Sequence, residues 1–142
     1  MNEGYQYVEA NKLSVEELFN LEQNARLISS VEEYYSSLIE SEKSSWNIRD
    51  SYMYDTLYRI NTHLVNIQKT PVRIAVWAHN SHIGDARATD MSARGEFNLG
   101  QRVRETFGDS AYLIGFGTDH GTVAAASEWG GPMKVMQMQP SH

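Results

Sequence analysis

The 142-residue chain contains no cysteine, which excludes disulfides, thiolate-bound zinc, iron–sulfur clusters and a thiol nucleophile. It also lacks any apolar run near the roughly 18–20 residues that a bilayer-spanning helix needs. Its start, Met1-Asn2-Glu3-Gly4-Tyr5, has neither the basic nor the apolar segment of a secretory signal. No membrane partner is expected, and the cytoplasm is the expected location. Positive charge is scarce: 12 Lys and Arg face 18 Asp and Glu, for a net charge of −6. Residues 1–50 hold 10 acidic and 4 basic side chains, whereas residues 51–142 hold 8 of each. No basic patch is present to track a phosphate backbone, so no nucleic-acid partner is expected.

What is present suits one folded domain. Hydrophobic residues make up 41% of the chain and aromatics 11%, enough for a packed core rather than a disordered segment. A domain of this length buries about 68–70% of its unfolded surface, so size alone demands no metal or covalent staple. Residues 1–13 read as a polar lead-in and 14–142 as the folded part.

Ser14 is the expected N-cap of a long helix near 14–41, with Glu16 and Glu17 in its first turn, where the helix dipole favours carboxylates. Leu18, Leu21, Ala25, Ile28, Val31, Tyr35 and Leu38 recur in steps of three and four and define its apolar stripe. A polar turn at 41–45 leads to a second helix from Asn47, where Asp50 sits at capping-box spacing. Met53, Leu57, Ile60, Leu64 and Ile67 form its stripe, and Lys69-Thr70-Pro71 ends it. His63 falls at the boundary of the packed face. The pair reads as a helical hairpin.

Two short runs, 72–78 and 111–116, are almost wholly apolar, as strands buried on both faces would be. A helix over Leu99–Phe107, closed by Gly108, lies between them. The expected fold is therefore α/β: an N-terminal helical hairpin followed by a parallel βαβ core with a right-handed crossover. Residues 123–126 and 133–138 are weaker strand candidates flanking Gly130-Gly131-Pro132.

Ligands of parallel sheets bind beyond the carboxyl ends of the strands. The first run leads directly into His79-Asn80-Ser81-His82, and the second into Thr118-Asp119-His120. On this topology His79, His82, Asp119 and His120 share one sheet edge. His79 and His82 have H-x-x-H spacing, which suits a base with an orienting partner, two metal ligands, or merely hydrogen bonding to the loop backbone. A metal site needs a third ligand, and no metal or other cofactor is expected. No G-x-S-x-G elbow exists, which argues against a common serine hydrolase. The glycines of 115–121 miss the dinucleotide fingerprint because the third comes one residue late. Arg49 suits either an ion pair with Asp50 or an anion, and Trp46, Trp77 and Trp129 suit core or pocket wall.

Several segments, in order, carry a resemblance: Trp46-Asn47-Ile48-Arg49-Asp50, the block from Trp77 to Ala86 with its A-H-N-x-H core, Gly95 to Gln101, and Gly115 to Pro132. From about Leu21 onward they closely resemble the erythromycin esterase-like family, whose members are often labelled erythromycin esterase or succinoglycan biosynthesis protein. The resemblance implies hydrolysis of a small-molecule ester, in the best-known members a macrolide ring, by a water that a histidine activates. His79 and His82 match catalytic histidines of that family, and Asn80, Asp119, His120, Arg49 and Trp129 are expected on the substrate side. Members are longer than this sequence, and their general base lies in an N-terminal Gly-Glu-x-x-His-Gly-like segment. The chain therefore corresponds to the central portion of the family domain, and its histidines to a partial site. The matching expectation for partners is a homodimer, or a complementing N-terminal half. A non-catalytic interaction module that pairs through exposed sheet edges is the alternative.

Overall fold

A computed structural model describes residues 13–40, 45–128 and 130–138. Helix α1 spans Val15–Glu40 and α2 spans Ser45–Gln68; a single turn, α3, spans Asn80–Ile83, and α4 spans Leu99–Phe107. Strands β1 (Thr122–Ala125) and β2 (Lys134–Gln137) follow. Short 3-10 turns at Ala86–Ala88, Ser92–Arg94 and Gly108–Ser110 join the central elements. The polar lead-in up to residue 12 and most of the turn expected at 41–45 lie outside the described residues.

The helical hairpin is as expected. Ser14 caps α1 reciprocally: its hydroxyl accepts from the Glu17 N–H at 3.1 Å, and its own N–H donates to the Glu17 carboxylate at 2.8 Å. That backbone bond from Ser14 holds the Glu17 carboxyl below its ordinary pKa. Lys69 stops α2 with φ of 55° and an N–H bonded to Val65 O, a left-handed C-terminal residue of the kind glycine usually supplies. Phe19 of α1 stacks on His63 of α2 with ring centroids 3.9 Å apart.

The apolar stripe of α1 differs from expectation. Leu21, Ile28, Val31, Tyr35 and Leu38 are exposed, while Phe19, Gln23, Ser30, Tyr34 and Ser37 are among its covered positions. A neighbouring helix covers only one narrow stripe, and α2 meets α1 one position away from the most apolar row. Asn47 and Asp50 likewise do not form the capping box expected of them. Both lie inside α2 and turn toward tertiary partners.

The parallel βαβ core does not form among the described residues. Runs 72–78 and 111–116 carry no ladder, and no backbone–backbone hydrogen bond joins them. They do approach one another. Trp77 and Phe116 have ring centroids 5.6 Å apart, and the Asn80 side chain bonds both the N–H and the C=O of Phe116. The amide of Asn80 thus takes the place a neighbouring strand would fill. An isolated pair of strands is only marginally stable, and most of the large apolar side chains of these two runs stay exposed, Trp77 at 89% and Tyr112 at 87%. The sheet that does form is the antiparallel pair β1–β2, in which Val123 faces Met136 and Ala124 faces Val135. Its strands coincide with the two weaker candidates.

Helix α4 begins and ends where its pattern places it. Asn98 caps it by accepting from the Gln101 N–H at 2.9 Å, and Gly108 closes it at φ of 52°. Its first turn lies against the end of α3 with almost no clearance, because a Cβ on Gly100 would fall 2.2 Å from Gly84 O. Among the described residues the buried interior is small, and beside Gly100 half of its residues are polar. Ala86, Leu99 and Ala111 are its apolar members, and Ser37, Asp50 and Asn98 its polar ones. Gly100→Ala should therefore force α3 and α4 apart and lower stability by about 1–3 kcal/mol, measurable as a shift in urea midpoint.

Candidate functional site

The site is assembled by the first turn of α2, the single turn α3 and the N-terminus of α4. Positions three and four apart on a helix share a face, so Trp46, Arg49 and Asp50 stand together at the start of α2. The Asp50 side chain has no solvent exposure. Its Oδ1 accepts from the Leu99 N–H at 2.9 Å, and both oxygens lie 3.0 Å from His82 Nδ1. Leu99 is the first residue of α4, where unpaired N–H groups and the helix dipole favour an anion.

His82 is sandwiched from a second direction. Its ring stacks on one face of Trp46, with centroids 4.6 Å apart and planes 1° from parallel. The Arg49 guanidinium lies over the same indole at 4.9 Å and brings Nη2 to 3.4 Å from His82 Nε2. Trp46 is fixed in turn by its indole N–H, which donates to Phe97 O at 2.8 Å. Asn47 adds two bonds to the same loop, donating to Gly95 O and accepting from the Phe97 N–H. Asn98 ties the loop to α3 by donating to Ser81 O at 2.8 Å.

His79 caps α3 from its N-terminal end. Its Nδ1 accepts from the Ser81 N–H at 3.2 Å and lies 2.9 Å from the Ser81 hydroxyl, while the rest of the ring is exposed. Beyond α3, Asp85 caps the following 3-10 turn through the Arg87 N–H and takes a two-pronged bond from the Arg87 guanidinium, at 2.9 and 2.6 Å. That guanidinium holds the Asp85 carboxyl below its usual pKa, and Asp85 raises that of Arg87.

Of the residues expected from sequence, the structure joins His82 to Arg49 and sets His79 three positions away on the same turn. Asn80 instead braces Phe116. Asp119 and His120 pair with each other at 3.2 Å on an exposed turn, and no hydrogen bond or ring contact among the described residues ties them to His79 or His82. Trp129 lies outside the described residues. Two partners escaped the sequence reading. The sequence places Asp50 at a capping or Arg49 ion-pair position and Trp46 in core or pocket wall, although their spacing of four on a helix beside Arg49 is a signal that they share a face. Among the described residues no cluster of three His, Asp or Glu side chains is set to hold a metal ion. A groove of about 660 Å³ lies between α1 and α2 and is lined by polar residues such as Gln23, Tyr52 and Arg59 rather than by His79 and His82.

The arrangement can do acid–base work. It supplies a buried carboxylate behind the His82 imidazole, a cation at that ring's other nitrogen, and a second imidazole three residues away on the same turn. Comparison with protein families finds a match to the erythromycin esterase family model over residues 2–142, which begins well before Leu21, where the resemblance read from the sequence starts. No solved structure matches the chain.

The Asp85–Arg87 pair yields a pH prediction. A carboxyl whose folded pKa is depressed adds stability above the ordinary carboxylate range and loses it as pH falls through the folded value. Asp85→Asn should thus lower stability at neutral pH by about 0.5 kcal/mol, with the difference from wild type vanishing in acid. Urea titrations across that range would show it.

Proposed function

The chain belongs to the erythromycin esterase family, and from that membership we propose that it takes part in hydrolysing a small-molecule carboxylic ester of the macrolactone type. Water is activated by a histidine, and the site within these residues is partial. In this reading His79 and His82 are catalytic, and the Glu/His segment carrying the general base is supplied from outside these 142 residues. Arg49, Asn80, Asp119, His120 and Trp129 are the residues this reading assigns to substrate binding. No cofactor is required. The observation that carries the reading is the Asp50–His82 pair, because a buried carboxylate behind an exposed-edge imidazole is a recurrent device for orienting a histidine in acyl transfer.

The chemistry follows from general requirements. Water attacking an ester carbon must lose a proton, and the carbonyl oxygen must receive hydrogen bonds as it gains charge. Two histidines on one short helical turn can serve those needs from fixed positions. A cytoplasmic location belongs to the same reading; no helix among the described residues is long and apolar enough to cross a membrane.

A second reading has its own support. Trp77, Tyr112, Ile114 and Phe116 are exposed on two segments without a ladder, and unpaired extended chain invites pairing. A non-catalytic interaction module that takes up a second copy, or an N-terminal half, would use those segments.

Mass spectrometry of water addition to erythromycin and to simpler esters separates the two. The chain would be mixed with an N-terminal Glu/His segment from a full-length family member. Hydrolysis is expected from the mixture, and His79→Ala or His82→Ala should slow it about 10²–10³-fold. Hydrolysis by the chain alone would overturn the partial-site reading. Complex formation without hydrolysis of any ester would favour the interaction module.

A further inference from the structure

We propose that the chain holds its two histidines in opposite tautomers, and that Asp50 is the positioning residue that makes His82 the hydrogen-bond acceptor of the pair. A neutral imidazole has one N–H and one lone pair, and its neighbours decide which nitrogen carries which. Around His82 both neighbours are one-sided. Asp50 at Nδ1 offers only acceptor oxygens as a carboxylate, and Arg49 at Nε2 offers only N–H donors. His82 therefore carries its proton on Nδ1 and its lone pair on Nε2, the nitrogen that faces away from the buried carboxylate.

Around His79 the logic reverses. The backbone N–H of Ser81 is a donor and nothing else, and it points at His79 Nδ1. The Ser81 hydroxyl, which can rotate, lies at the same nitrogen and can donate to it as well. The lone pair of His79 is thus on Nδ1, and its proton is on the outward Nε2. One turn of helix presents a donor from its first histidine and an acceptor from its second.

Asp50 is suited to hold that difference. It is fully buried, and its Oδ1 is anchored by the Leu99 N–H, so the carboxylate does not rotate away from the ring. Trp46 blocks one face of the imidazole and prevents the ring from turning over. The catalytic use of these tautomers rests on the hydrolase reading above: His79 donates to the oxygen on which charge develops, and His82 orients the Arg49 guanidinium at its Nε2 toward the reacting groups, while the general base comes from the segment outside these residues. The tautomers themselves do not rest on it.

Long-range ¹H–¹⁵N correlation spectra of the histidine-labelled chain at neutral pH provide the test. The expected wild-type result is His82 protonated on Nδ1 alone and His79 on Nε2 alone. In Asp50→Asn the amide oxygen stays with Leu99 and the amide NH₂ turns its donors toward His82 Nδ1, so His82 should shift to the Nε2–H form while His79 does not change. His82 found as Nε2–H or doubly protonated in the wild type would overturn the proposal, and this holds even if the variant does not fold. A folded variant that keeps the wild-type tautomer would overturn it as well. In the complemented esterase assay, Asp50→Asn should cost about 10⁴-fold, the loss that the same carboxylate-to-amide change brings to a serine-protease triad. Tautomers as proposed with no loss of hydrolysis would leave Asp50 as the positioning residue and overturn the use of His82 in catalysis.

Discussion

A single buried carboxylate joins the three elements of the site. Asp50 comes from the first turn of α2, bonds the first N–H of α4 and holds the histidine of α3. Withdrawing a carboxylate from water is costly unless its oxygens are met by donors, and here each of them is. The three elements must therefore sit where those donors converge. Gly100 allows this, because α4 could not otherwise lie against the Ile83–Gly84 backbone. With so few apolar side chains fully covered among the described residues, the polar junction at Asp50 and Asn98 fixes the geometry that a larger hydrophobic core would otherwise fix.

The same bonds that shape the junction shape the chemistry. Trp46, Asn47, Arg49 and Asp50 occupy one turn of α2, and each has a partner on α3 or on the loop before α4. His82 is consequently held on rigid helical elements, by a carboxylate at one nitrogen, an indole on one face and a guanidinium at the other nitrogen. Such support from surrounding side chains is what keeps a catalytic group in its working geometry. His79, exposed on the N-terminal side of the same turn, is held among the described residues by the backbone and hydroxyl of Ser81.

Much of the helical part of the fold was legible in the sequence, because its signals are local. Ser14 and Glu17, the Asn98 cap and Gly108 act through neighbours a few residues away, and they bound α1 and α4 within a residue of expectation. The strands were less legible. Runs 72–78 and 111–116 have strand-like composition, but a ladder needs a partner in register, and Asn80 satisfies Phe116 through its side chain instead. The histidine pair was legible as a motif. Its buried partner was not, since an aspartate three residues after Asn47 near a helix start looks like a cap, and only the tertiary fold brings it to a residue 32 positions away.

Membership of the erythromycin esterase family and the geometry at Asp50 lead to one central claim: the carboxylate and His82 act as a coupled unit. A double-mutant cycle in urea unfolding, with Asp50→Ala, His82→Ala and the double variant, tests it most directly. The account predicts a coupling of about 1–3 kcal/mol, as for groups that share a buried hydrogen bond. Strictly additive losses would contradict it.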